Sequence, residues 1–280
     1  MSLTQRMPSL FLGHGSPMNL VLDNDFTQAL EALSLELPLP KAIVMISAHW
    51  YTTQTSVSIA SGISYETIYD FYGFPPSLYD IRYDSPSNNT LSKRIATLLD
   101  VPLVERGLDH GAWMPLHFLY PKASVPVLQL SIHKNLSLPL HVTIGEKLRV
   151  LRDEGILILG SGNLTHNLGL VDFYNIEAKP VEWAKNVDTF IENAFTCNDI
   201  ESLVNIEAKC PDFKTAHPSI DHYLPLLYIA GTRTKEDDVT ILTPLYQNAS
   251  LSMKGFMLGG DDYIKKPFDL NELLLRVKAL

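Results

Sequence analysis

Three short apolar runs constrain this chain most: Leu10–Leu12, Ile43–Ile46 and Ile156–Leu159. Runs of this length that stop at Gly, Ser or Pro read as strands buried on both faces. Their exits are Gly13-His14-Gly15-Ser16-Pro17, Ser47-Ala48-His49-Trp50 and Gly160-Ser161-Gly162-Asn163-Leu164-Thr165-His166. In open α/β sheets ligands gather outside the carboxyl ends of the strands. Each exit carries one histidine, so this pattern can deliver several imidazoles to one point. The glycines around His14 permit turn conformations and leave space beside the ring.

Between and after these runs, helical periodicity predicts helices over Asp25–Leu35, Leu91–Leu99, Leu138–Arg152 and Pro180–Phe195, with a shorter one over Asn198–Lys209. Val101–Val104 and Val125–Ile132 read as further strands. The alternation predicts one α/β domain with helices flanking a sheet, and no internal repeat interrupts it. Residues 55–85 are dense in Tyr, Phe, Gly and Pro and show little helical period. They read as a long ordered loop, either pinned to the surface by its aromatics or lying over a pocket.

Composition narrows the function classes. Hydrophobic content of 46% and charged content of 19% over 280 residues are those of a globular chain. A formal net charge of −9 argues against general nucleic-acid binding, which needs a basic face. No apolar run reaches the roughly 18–20 residues that span a bilayer, so no membrane partner is expected. Met1–Pro8 leads directly into a strand, without the pattern of a signal peptide. Cys197 and Cys210 lack metal-type spacing. Together these features predict a cytoplasmic protein without disulfides.

Two more histidines stand in informative settings. His110 lies in Gly107-Leu108-Asp109-His110-Gly111, where Asp109 either orients the imidazole or caps a helix from about Trp113 to Tyr120. His222 follows Pro218, which bars a helix at His217. Ser219 or Asp221 can cap a helix that starts near His222 and places it in the first turn. His117, His133 and His141 lack such contexts and read as structural or surface residues. Gly160-Ser161-Gly162 lacks the Lys-Ser/Thr of a P-loop and the third glycine of a dinucleotide fingerprint. Imidazole is a common ligand for Fe and Zn, and two or three imidazoles with open positions left over make a catalytic centre. No local His-Glu-x-x-His motif occurs, so a metal site here depends on convergence in space.

Read together, Gly-His-Gly-Ser-Pro at 13–17, Ser-Ala-His-Trp at 47–50, Asp-His-Gly at 109–111, Ser-Gly-Asn-Leu-Thr-His-Asn at 161–167 and Asp-His-Tyr-Leu-Pro-Leu at 221–226 resemble the motif series of the class III extradiol ring-cleavage dioxygenases, most closely their DOPA dioxygenase branch. The likeness spans about Met7 to Met253. It implies a mixed, largely parallel sheet, one Fe(II) or Zn(II) per chain, and a small catecholic substrate opened with O₂. Carried over by motif, His14, His49 and His222 match metal ligands, with His217 the rival for the third. His166 matches the acid–base histidine, a ring that the likeness also places within reach of the metal when substrate is absent. His110 matches a pocket histidine near substrate and oxygen. Two rival readings are a zinc hydrolase that uses metal-bound water, and a non-catalytic metal-binding relative.

The end of the chain departs from this series. Residues 258–280, with Lys-Lys-Pro-Phe at 265–268, are similar to the last loop and helix of a response-regulator receiver domain. The expected organisation is therefore a catalytic domain over 1–255 and an appended fragment over 256–280. Leu270, Leu273, Leu274 and Val277 give that fragment an apolar helical face.

Overall fold

Every residue of the three apolar runs is buried, and because side chains alternate along a strand, both faces of the sheet are covered. The computed structural model describes residues 6–259. Six strands form the central sheet: β1 (Ser9–Gly13), β2 (Ala42–Ser47), β3 (Val127–Gln129), β4 (Ile156–Gly162), β5 (Val239–Leu242) and β6 (Gly255–Leu258). Their spatial order is β3-β2-β4-β1-β6-β5. The first four run parallel, while β6 is antiparallel to both β1 and β5. This is the mixed, largely parallel α/β sheet expected.

The main helices are α1 (Asp25–Glu36), α2 (His110–Leu119), α3 (Leu138–Leu148), α4 (Glu182–Thr196) and α5 (Leu224–Gly231). Helix α1 starts where Asn24 and Thr27 form a reciprocal capping box, the Asn24 side chain accepting from the Phe26 and Thr27 amides at 3.0 Å. It buries Phe26, Leu30 and Leu33 and packs against α2, which lies on β2 and β4. Helix α5 is apolar all round, so it can only sit inside: all eight residues are buried between α3 and the strands β4 and β1. No helix among the described residues is long and apolar enough to cross a membrane.

Several boundaries differ from expectation. Helix α2 begins at His110 rather than near Trp113, because the Asp109 carboxylate accepts from the Ala112 amide and caps it there. Helix α5 begins at Leu224, so His222 precedes it in a turn instead of occupying its first turn. The run Val125–Ile132 divides into β3 and the short strand Ile132–His133. The boundary expected after residue 255 falls inside β6. Residues 256–258 pair with β1 and β5 and belong to the sheet. The receiver-like remainder, 260–280, lies outside the described residues.

One buried ion pair closes the far end of the sheet. Arg152 is 0% exposed and bonds Asp237 through both guanidinium ends at 2.6 and 2.7 Å. It also donates to the carbonyls of Met7, Thr232 and Leu258, joining the start of β1, the end of α5 and the end of β6. Burial alone would raise the Asp237 carboxyl, but Arg152 outweighs it and holds the group below its ordinary value. Its stabilisation is thus complete above the unfolded carboxylate range and is lost as pH falls through the depressed folded value. Asp237→Asn leaves a buried, unpaired guanidinium and is expected to cost about 3 kcal/mol. Urea denaturation at neutral pH measures this, and a loss below about 0.5 kcal/mol would discount the pair as a stabilising element.

Candidate active site

The strand register brings the three exits together. Gly13 stands opposite Gly162, and Ser161 lies between Leu12 on one side and Ser47 on the other. The ladder continues past the strands, with the His14 amide donating to the Gly162 carbonyl and the Ala48 amide to the Ser161 carbonyl, both at 3.0 Å. His14, His49 and His166 therefore leave neighbouring strand ends on the same edge of the sheet. His222 joins them because its carbonyl accepts from the Asn163 amide at 3.0 Å. A Cβ on Gly162 would stand 2.1 Å from that carbonyl oxygen, so only glycine admits this approach. The glycines around His14 serve backbone packing rather than space beside the ring. A Cβ at Gly13 would meet the Ser252 carbonyl at 2.8 Å, and Gly15 has φ +63° and faces Met253.

All five histidines singled out by sequence meet here. Ring centroids lie 5.0 Å apart for His14 and His49, 5.2 Å for His14 and His222, 5.0 Å for His49 and His222, and 3.9 Å for His49 and His110. His166 stacks flat on His222 at 3.5 Å. The Nε2 atoms of His14 and His49 are 3.1 Å apart. Two nitrogens bound tetrahedrally to one ion at about 2.0–2.1 Å would stand roughly 3.3 Å apart, so this pair fits a shared metal. His14, His49 and His110 offer ligand atoms all within 4.8 Å of one another. The trio expected from sequence was His14, His49 and His222. His222 adds a different signal: its Nε2 is buried without any hydrogen-bond partner, the one such nitrogen among the five rings. His217 stands apart, bonded through Nε2 to the Leu164 carbonyl at 2.9 Å and packed against Phe213 and Tyr223.

Hydrogen bonds orient the rings of His14, His110 and His222. Ser161 Oγ lies 2.9 Å from His14 Nδ1. Asp221 holds His222 Nδ1 at 2.6 Å, leaving Nε2 as the lone-pair nitrogen. Asp70 holds His110 Nδ1 at 3.0 Å, accepts from the His110 amide at 2.9 Å and faces His49 Nδ1 at 3.5 Å. Burial would raise the Asp70 carboxyl, but the bonds from His110 outweigh it and hold the group down at about 2, hence ionised. Burial pushes His14 and His222 well below the ordinary imidazole value and brings His49 and His166 down to about 4. Neutral imidazole is the form that binds a metal.

The carboxylates that orient the rings differ in part from those expected. Asp109 does not hold His110. It caps α2 and accepts from the Ser47 hydroxyl at 2.6 Å and the Gln129 amide at 2.8 Å, tying the helix start to β2 and β3. The residue that holds His110 is Asp70, forty positions earlier in the aromatic loop, where no local signal announces it. Asp221, which with Ser219 is one of two expected helix caps, is the partner of His222. The bare adjacency of acid and histidine was the available signal. Asp221→Asn is expected to weaken metal affinity about 10–100-fold. Competition with a chromogenic chelator measures it, and an unchanged affinity would remove Asp221 from this role.

The cluster floors a cavity of about 590 Å³. The aromatic loop supplies Asp70, Phe71 and Phe74 to its wall, so that loop does lie over a pocket. The segment between β4 and α4 supplies Leu168, Val171 and Phe173. A concave apolar cavity with a few convergent polar groups suits a small aromatic ligand.

Residues 9–258 match the family described as the catalytic LigB subunit of aromatic ring-opening dioxygenase. A protein of Escherichia coli K12 named 4,5-DOPA dioxygenase extradiol is 38% identical over 262 residues, covering 91% of this chain and 95% of that protein. One of the same name from Beta vulgaris is 39% identical over 233 residues, covering 80% and 85%. A crystal structure of an Escherichia coli K12 protein aligns with a TM-score of 0.78 at 37% identity, covering 91% of this chain and 100% of that one.

Proposed function

This chain belongs to the LigB family and is an extradiol aromatic ring-opening dioxygenase, and on that premise we propose that it opens a catechol of the 4,5-DOPA type, or a related aromatic diol, beside its two hydroxyls. The observation that carries this reading is the meeting of five imidazoles on the floor of one apolar cavity. His14, His49 and His222 are the proposed metal ligands. The close Nε2 pair and the partnerless Nε2 of His222 support that choice. Such an all-imidazole set accepts either Fe(II) or Zn(II), one per chain, and Fe(II) is proposed as the working ion. When bound, divalent iron supplies the redox chemistry that lets O₂ react with an aromatic diol.

The protein residues have separate tasks. His166, a neutral imidazole stacked on His222, accepts a proton from a catechol hydroxyl and returns it later in the reaction. His110, held by Asp70, touches the substrate and oxygen side of the cavity and stabilises negative charge as it develops. The apolar wall excludes water and stacks against the ring. Free Cys197 and Cys210 fit a reducing compartment, and the cytoplasm is the proposed location.

The test is direct. Protein loaded with Fe(II) under anaerobic conditions is mixed with a catechol and oxygenated buffer. Oxygen uptake with a yellow ring-opened product is expected. A catechol recovered intact from protein shown to hold iron would overturn the proposal.

A further inference from the structure

We infer that the preferred catechol carries an uncharged, apolar substituent rather than an amino-acid side chain. This rests on the ring-opening reading above and, of the two substrate classes named there, selects the related aromatic diol over DOPA itself. The diol end of a catechol is the end that the imidazole floor takes, so the substituent must run along the wall towards the mouth. That wall is apolar. Phe71 is fixed edge-on to His110 with centroids 5.6 Å apart, and Phe74 packs edge-on to Phe71 at 5.4 Å. Val171 and Leu168 continue the wall. At the mouth Phe173 is 71% and Tyr174 102% exposed, although both line the cavity. Apolar surface left in water beside a binding cavity gains most from an apolar ligand.

Charge points the same way. Among the described residues that line the cavity there is no lysine or arginine, and the only carboxylate is Asp70. A substrate carboxylate would lose water without meeting a cation and would share the cavity with a like charge. An ammonium group would find Asp70 already engaged by His110. Moving an unpaired charge out of water is costly, so a zwitterionic arm is disfavoured relative to a neutral one. The cavity volume, about 590 Å³, also leaves room beyond a single catechol ring for a sizeable substituent.

The experiment compares four catechols built on a three-carbon ring substituent: DOPA, 3-(3,4-dihydroxyphenyl)propanoate, its ethyl ester, which extends the arm by an ethoxy group, and 4-propylcatechol. The full chain, loaded with Fe(II), is assayed by oxygen uptake for kcat/KM on each. The ester and propylcatechol are expected to exceed DOPA and the free acid by about tenfold or more, chiefly through KM. DOPA or the acid matching or exceeding them overturns this inference and leaves the ring-opening reading intact. Failure to open any of the four overturns both. A variant tests the charge argument without disturbing the core, since Phe173 is exposed. Phe173→Lys is expected to raise the ratio of acid to ester several-fold, and an unchanged ratio counts against the inference.

Discussion

His14→Ala and His49→Ala are each expected to lose the metal and, with it, ring opening altogether. The two rings come from different strands, yet their Nε2 atoms approach to 3.1 Å inside a buried pocket. Burial keeps both rings neutral and ready to bind a cation. Loss of a single orienting partner already weakens metal binding about 10–100-fold, and loss of a ligand itself should exceed that. His222→Ala is expected to behave in the same way, whereas His110→Ala should retain metal while losing rate. Metal stoichiometry after dialysis measures all four. Full metal in the His14 or His49 variant would sink the ligand assignment. Full metal in His222→Ala with loss in His110→Ala would instead favour the trio whose nitrogens lie within 4.8 Å of one another.

Replacing His166 by Gln should leave metal in place and lower kcat by about 10²–10⁴-fold, the range for removing a positioned acid–base group. Glutamine keeps the bulk against His222 but has no nitrogen that exchanges a proton near neutral pH. His166 also lines a shallow outer groove with Asn167, Ser219 and Asp221, so one ring borders both the cavity and an open surface. In its proposed acid–base role, the ring that holds the proton would therefore also face solvent. Single-turnover rates separate this step from binding. Loss of metal in His166→Gln would move the residue into the ligand set, and an undiminished kcat would remove it from the chemistry.

Much of the fold was legible because its signals are local. Leu10–Leu12, Ile43–Ile46 and Ile156–Leu159 became β1, β2 and β4, the strands whose ends carry the site. The paired residues Gly13 and Gly162 marked exits, and the histidines that follow them converge as expected. Less was legible where partners lie far apart in the chain. Nothing near Asp70 identifies it as the residue behind His110, since the contact closes over forty residues. Asp109 looked equally suited to orient or to cap, and only the position of the Ala112 amide and Ser47 hydroxyl decided for the cap. The strand Gly255–Leu258 was divided by a boundary drawn from the likeness of the tail, because a short antiparallel strand has no pattern of its own beyond four residues.

By itself the sequence determined the α/β class, the three strand exits and the five imidazoles, because hydrophobic run, turn residue and side-chain chemistry are properties of neighbouring positions. Tertiary structure decided which carboxylate holds which ring, why glycine stands at positions 13 and 162, and that His217 turns away to the Leu164 carbonyl while His222 keeps a buried nitrogen free. Those are distances between segments that the chain separates, and register and burial set them.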